Sequence, residues 1–224
     1  GTNLTRMGIC QAHNDTSHDK QIFVAYGKLN DNSEPRGRFM KINPSDNSIT
    51  MSTAHSSIAN ISGNWQNMKC NWDSVNQKII VCFGRGTDDN AYAVCYDKAS
   101  GAWGNRITLS YTGYDPNPVY LSESDSNIIF YNNTGYNPTG TLRYIPITYS
   151  STANLTKGSD VVVQNHEVRG QVMKGEYIGK NTATGIYFFV YCIRTGTKNT
   201  YVREFTVAAN GTITFESGTG FFVD

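Results

Sequence analysis

Several things are scarce in this chain, and each scarcity closes off a class of protein. Charged residues are only 17% of the 224 residues, the formal net charge is +1, and Lys and Arg are scattered. Nucleic-acid binding needs a basic stripe and none is present, so no nucleic-acid partner is expected. No apolar run approaches the roughly 20 residues that cross a bilayer, so no membrane partner is expected either. No long segment carries apolar residues at three- and four-residue spacing, which leaves a helix-rich fold without support. The five cysteines, Cys10, Cys70, Cys82, Cys95 and Cys192, are odd in number and lack any Cys-x-x-Cys pair. They therefore point to buried free thiols rather than a zinc site or disulfide framework. A cross-strand Cys82–Cys95 disulfide is still an expectation, because the two flank the turn Gly86–Ala91 symmetrically. His13, His18, His55 and His166 are isolated, and carboxylates at the close alternate spacing of a calcium loop are missing. No metal and no cofactor are expected. Gly1-Thr2-Asn3-Leu4 does not read as a signal peptide.

What is abundant is Gly, Asn, Ser, Thr and Tyr, the composition of short strands joined by polar turns. Four strongly apolar strands stand out: Gln21–Tyr26, Lys78–Phe83, Asn127–Tyr131 and Gly185–Tyr191. Each follows a polar turn. A second landmark lies further along each segment, at Ile49, Ile107, Leu155 and Ile213. From Ile22 to Ile79, Ile128 and Tyr187 the steps are 57, 49 and 59 residues; the second set steps by 58, 48 and 58. Two landmarks advancing in parallel signal an internal repeat. The second strand of each unit is apolar on consecutive residues, as a strand covered on both faces must be. The expected fold is all-β: a four-bladed β-propeller, or four blades of a larger one, with four-stranded antiparallel blades. The whole chain, 1–224, reads as one repeat domain with approximate blades 7–58, 64–111, 117–158 and 167–217 and a tail, 218–224, that either clasps the first unit or leads into a further blade. In the second unit the expected strands are Met68–Trp72, Lys78–Phe83, Tyr92–Tyr96 and Arg106–Ser110.

The stretch Asn71–Phe83, followed by Ala91–Val94, resembles propeller-type repeats of bacteriophage tail fibres and viral or cell-surface adhesins. Ser48-Ile49-Thr50-Met51 and Thr212-Ile213-Thr214-Phe215 are similar to the Ser-Ile-Thr-Phe endings of those repeats, although the proline that usually follows the turn aspartate is missing. The resemblance implies a module on a virion or extracellular surface. Its implied partners are a cell-surface carbohydrate or an envelope protein, and other subunits of a fibre. Trp103, with Asp97 and Gly101, is similar to the Asp-box turn of sialidases but one residue too long, and such turns are structural.

Propeller ligands gather on one face, built by the loops between second and third strands and by the connections between blades. Here those segments carry Trp65, Arg85, Asp88, Asp89, Tyr111, Tyr114, Asp115, Tyr136 and His166. Flat rings stack on sugar faces, while carboxylates and guanidinium groups hydrogen-bond hydroxyls. The expected ligand-binding residues are Trp65, Arg85, Asp88, Tyr111, Tyr114 and Tyr136. Asp73 and Asp125, at what read as matching turns, are expected to cap them. Glycoside cleavage would need two carboxyl groups converging across a cleft, and sequence alone brings no two together. The expectation is therefore a non-enzymatic, lectin-like recognition module with no catalytic residues. The alternatives are a structural repeat without its own ligand and a glycan-processing enzyme.

Overall fold

In a computed structural model of the chain, the described residues are 4–12, 21–28, 36–52, 65–85, 90–110, 114–122, 124–133, 141–164, 176–192, 200–216 and 221–223. They contain strands and turns and no helix. Blade 1 has β1 (Leu4–Gln11), β2 (Gln21–Lys28), β3 (Arg36–Ile42) and β4 (Ile49–Met51). Blade 2 has β5 (Trp65–Asp73), β6 (Lys78–Arg85), β7 (Asn90–Asp97), β8 (Ala102–Trp103) and β9 (Ile107–Ser110). Blade 3 has β10 (Tyr114–Leu121), β11 (Ser126–Asn132), β12 (Leu142–Tyr149), β13 (Leu155–Lys157) and β14 (Val161–Gln164). Blade 4 has β15 (Glu176–Asn181), β16 (Ile186–Cys192), β17 (Thr200–Val207), β18 (Ile213–Phe215) and β19 (Phe221–Val223). Each sheet is antiparallel and runs in chain order from its first strand outward. First strands of consecutive blades are in contact, β1 with β5, β5 with β10, and β10 with β15.

The consecutive apolar residues of the second strands have the physical cause expected of them. Ile79, Val81 and Phe83 point into a core shared with Phe23 and Ala25 of blade 1. The residues between them, Ile80 and Cys82, join Ile129 and Tyr131 of blade 3. Ile128 and Phe130 turn the other way, toward Tyr187, Phe205 and Ile213 of blade 4. A strand side chain changes face at every residue, so a blade between two neighbours needs an apolar residue at each position. Burial of each large side chain contributes about 1.5–3 kcal/mol. The seams are tight. A Cβ on Gly104 would lie 1.9 Å from the Ala153 carbonyl oxygen, which leaves no room for a side chain between blades 2 and 3.

The repeat landmarks need two corrections. Ile79 faces blade 1, whereas Ile128 faces blade 4; by turn and ladder register the residue equivalent to Ile79 is Asn127, and Ile129 is equivalent to Val81, because a one-residue slip exchanges the faces. The outer strand is also broken in blades 2, 3 and 4. In blade 2 its first piece is β8, where Trp103 pairs with Tyr96, and Ile107 belongs to the second piece, β9. Trp103 packs 5.0 Å from Tyr96 and 6.1 Å from Phe23, as a core residue. Phe221–Val223 pairs with β17 and completes the outer strand of blade 4, rather than clasping the first unit.

Cys82 and Cys95 are free and buried. The loop between β6 and β7 is residues 86–89, so Cys82 pairs with Ala93 and Cys95 with Ile80. The two thiols are diagonal rather than opposite, a separation of roughly 7–8 Å between main chains, and the expected disulfide does not form. Burial raises the Cys95 thiol to about 12.

Turn chemistry closes the blades at one end. Gln77, Asp125 and Gly185 take the last position of equivalent first-to-second-strand turns, all with positive φ (52°, 46° and 73°). Asp125 is therefore equivalent to Gln77, and Asp73, the last residue of β5, is not its counterpart. Asp97 ends β7 and accepts hydrogen bonds from Ser100 N (3.2 Å) and Ser100 Oγ (2.5 Å), with Lys78 Nζ at 3.6 Å. Burial pushes the Asp97 carboxyl up, but the Ser100 hydrogen bonds and the Lys78 ammonium outweigh it and hold the group below its ordinary 3.8. A carboxyl lowered by folding stabilises above its ordinary value and stops doing so as pH falls through the lowered one. The expected result is that Asp97→Asn loses less Tm than the parent as pH drops below 3.8; parallel pH–Tm curves would refute it.

Candidate functional site

The first strands all begin at one end of the fold, where the second strands end and the third strands begin. The turns at 74–77, 122–125 and 182–185 lie at the other. The described candidates Trp65, Arg85 and Tyr114 thus share one end of the fold by topology. Trp65 and Arg85 are direct partners across β5 and β6, and Arg85 is the partner of Asn90 across β6 and β7. Tyr114 opens β10 opposite Asn132. Asp88, Tyr111 and Tyr136 lie outside the described residues, as do the four histidines. Trp65, Arg85 and Tyr114 are therefore placed by strand register alone.

Each first strand has a one-residue bulge just inside this end. The breaks fall between Leu4 and Arg6, Gln66 and Lys69, Tyr114 and Asn117, and Tyr177 and Gly179. Bulges bend a strand and re-aim its side chains, and they are enriched beside active sites. In β10 the bulge consists of Asp115 and Pro116. Proline is tolerated there because a first strand is the edge of its sheet and has one row of N–H groups outside the ladder. In the neighbouring blade Glu176 is the first residue of β15, opposite Val190. The ring therefore brings a carboxylate residue to the leading end of each of two adjoining first strands. Asp115 was among the sequence-derived loop residues. Glu176 was missed, since the sequence reading had no landmark for where the fourth first strand starts. The signal that could have found it is the spacing back from the Lys180–Thr182 turn.

Polar groups around this end brace the loops. Tyr131 OH donates to Asp160 Oδ2 at 2.6 Å, and Arg143 lies 3.6 Å from the same oxygen. Arg143 Nε donates to Thr141 Oγ1, which in turn donates to Asn133 Oδ1. Burial first, then the hydrogen bond to Asp160, push the Tyr131 phenol far above its usual range, so it stays protonated and cannot serve as a base. In blade 2 Asn90 Nδ2 donates to Tyr92 OH at 3.0 Å, and the Arg106 guanidinium stacks 4.4 Å above the Tyr92 ring. At the opposite end Asp73 ties blade 2 to blade 3 through Asn127 and Tyr149 (2.8 and 2.7 Å). Among the described residues no group of three His, Cys, Asp or Glu is arranged to hold a metal ion.

No family model matches the sequence, and no curated protein does. Solved structures do. A xylan β-1,4-xylosidase from Bacillus halodurans superposes with a TM-score of 0.55 at 11% identity, over 97% of this chain and 42% of the enzyme. A GH43 β-1,3-galactosidase gives 0.54 at 9% identity, over 99% of this chain and 78% of that one. An α-L-arabinofuranosidase from Podospora anserina gives 0.50 at 10%, over 97% and 68%. The chain thus spans well under half of the xylosidase. These neighbours are glycan-processing enzymes and not adhesins or fibre proteins, and this overturns the expected non-enzymatic recognition module. The expectation rested on linear spacing, which does not display which strand ends the blades bring to neighbouring positions. At this level of identity the shared property is the fold, and on that the sheets and the neighbours agree: the chain forms four antiparallel blades of a β-propeller of the kind found in GH43 glycoside hydrolases.

Proposed function

We propose that this chain is the propeller of a glycoside hydrolase that removes xylosyl, arabinosyl or galactosyl units from a polysaccharide. The observation that carries the reading is the placement of Asp115 and Glu176 at the leading ends of β10 and β15, first strands of adjoining blades. Hydrolysis of a glycosidic bond uses two carboxyl groups, one as acid and the other as nucleophile or base. Trp65, beside Arg85 in the ladder of blade 2, supplies an aromatic face on which a sugar ring can stack at the same end. The activities of the three structural neighbours support the sugar classes.

The test is hydrolysis of 4-nitrophenyl β-xyloside, α-L-arabinofuranoside and β-galactoside by the purified chain, its fold checked by a cooperative thermal transition. Release of nitrophenol from at least one glycoside, well above the uncatalysed rate, is expected. A folded chain that releases none from all three overturns the reading.

A further inference from the structure

We propose that Cys10 and Cys70 are a disulfide-forming pair that, when oxidised, fastens blade 1 to blade 2 at the centre of the ring. The two residues belong to first strands of different sheets, β1 and β5, which have no shared ladder. The strands nevertheless touch. A Cβ on Gly8 would lie 2.8 Å from Lys69 Cα and 3.1 Å from Cys70 N, so only glycine lets the main chains approach this closely. Cys10 is two residues further along β1 and so on the same face. Its ladder partner is Phe23, and the Cys70 thiol lies 4.0 Å from the Phe23 carbonyl oxygen. Both cysteines are half-buried against the core of Phe23, Ala25, Ile79 and Val81. The neighbouring Cys70 thiol, followed by burial, pushes the Cys10 thiol well above its ordinary range. Two thiols on the facing sides of strands that already touch need little backbone movement to bond.

The reaction balances with a small disulfide such as oxidised glutathione as the electron acceptor. One cysteine thiolate attacks a glutathione sulfur and expels one glutathione thiol. The second cysteine attacks the resulting mixed disulfide, releases the second glutathione thiol and leaves the Cys10–Cys70 bond. The bond closes a long loop of chain and restricts the unfolded state more than the folded one. This pair is independent of the glycosidase reading, because it lies in the seam and not among the carboxylate residues.

The experiment treats the reduced full chain with oxidised glutathione and follows it by intact mass, peptide mapping and thermal unfolding. The expected outcome is a loss of about 2 Da, a Cys10–Cys70 linked peptide, and a Tm raised by about 5 °C or more. Cys70→Ser should show none of the three changes. A stable glutathione adduct on Cys10 or Cys70, a linkage that uses Cys192 instead, or unchanged mass would each overturn the proposal. The Cys10→Ser variant guards against a folding defect in Cys70→Ser: it must block the linked peptide while keeping the reduced parent's Tm.

Discussion

Asp115→Asn and Glu176→Gln are each expected to lower kcat on the responsive nitrophenyl glycoside by about 10²–10⁴-fold, the usual contribution of a positioned acid or base. Both substitutions preserve size and remove only the ability to carry or accept the proton. Asp115 sits in the bulge of β10, outside its ladder, and Glu176 is the first residue of β15, paired with Val190. Being isosteric, both substitutions are expected to leave Tm within a degree or two of the parent. If the two carboxyls work as acid and base, each variant also flattens one limb of the pH–rate profile, which a merely structural role would leave unchanged. Wild-type rates in both variants would remove these residues from the chemistry.

Asp73→Ala should produce the largest loss of stability among polar substitutions. The Asp73 side chain is 1% exposed, and its carboxylate accepts from Asn76 N (2.9 Å), Asn76 Nδ2 (3.1 Å), Asn127 Nδ2 (2.8 Å) and Tyr149 OH (2.7 Å). The first two close the turn between β5 and β6; the last two cross the seam to blade 3. Deleting the carboxylate removes all of these hydrogen bonds at once; Asn127 Nδ2 keeps Tyr149 OH and Asn76 Nδ2 keeps Asp125 Oδ1, while Asn76 N and Tyr149 OH lose their acceptor. Each unsatisfied group costs about 1–3 kcal/mol, so a loss of about 3 kcal/mol, or about 10 °C in Tm, is expected for a chain of this size. Tyr149 reports on the same contact. Burial, followed by the Asp73 charge and hydrogen bond, raises its phenol far above the usual range. Tyr149→Phe removes a single donor and leaves the others paired, so it should cost about 1 kcal/mol. Equal costs for the two variants would mean that the Asp73 cluster contributes little beyond that one hydrogen bond.

The Asp73 cluster also shows where sequence reading reached its limit. Capping of the turn by Asp73 was legible, because an aspartate before a polar turn bonds the backbone two or three residues on. The bridge to Asn127 and Tyr149 was not, since those partners are 54 and 76 residues away. The supposed match between Asp73 and Asp125 failed for a related reason. Equivalence in a blade is set by ladder register and by φ at the turn, and residue type alone is a poor guide to either. The face assignment of Ile128 and the division of Trp103 and Ile107 between two pieces of one outer strand were hidden in the same way.

By itself the sequence determined that the chain repeats an antiparallel sheet four times and that the middle sheets are covered on both sides. Those are local properties: uninterrupted apolar residues along Lys78–Phe83 and Asn127–Tyr131, and polar turns at regular intervals. Only the tertiary structure decided which carboxylate residues stand on neighbouring first strands. Asp115 and Glu176 are 61 positions apart in the chain, and nothing near either residue marks it as a partner of the other. They come to adjoining first strands because the blades stack around a centre, and stacking depends on contacts between sheets that no local pattern encodes.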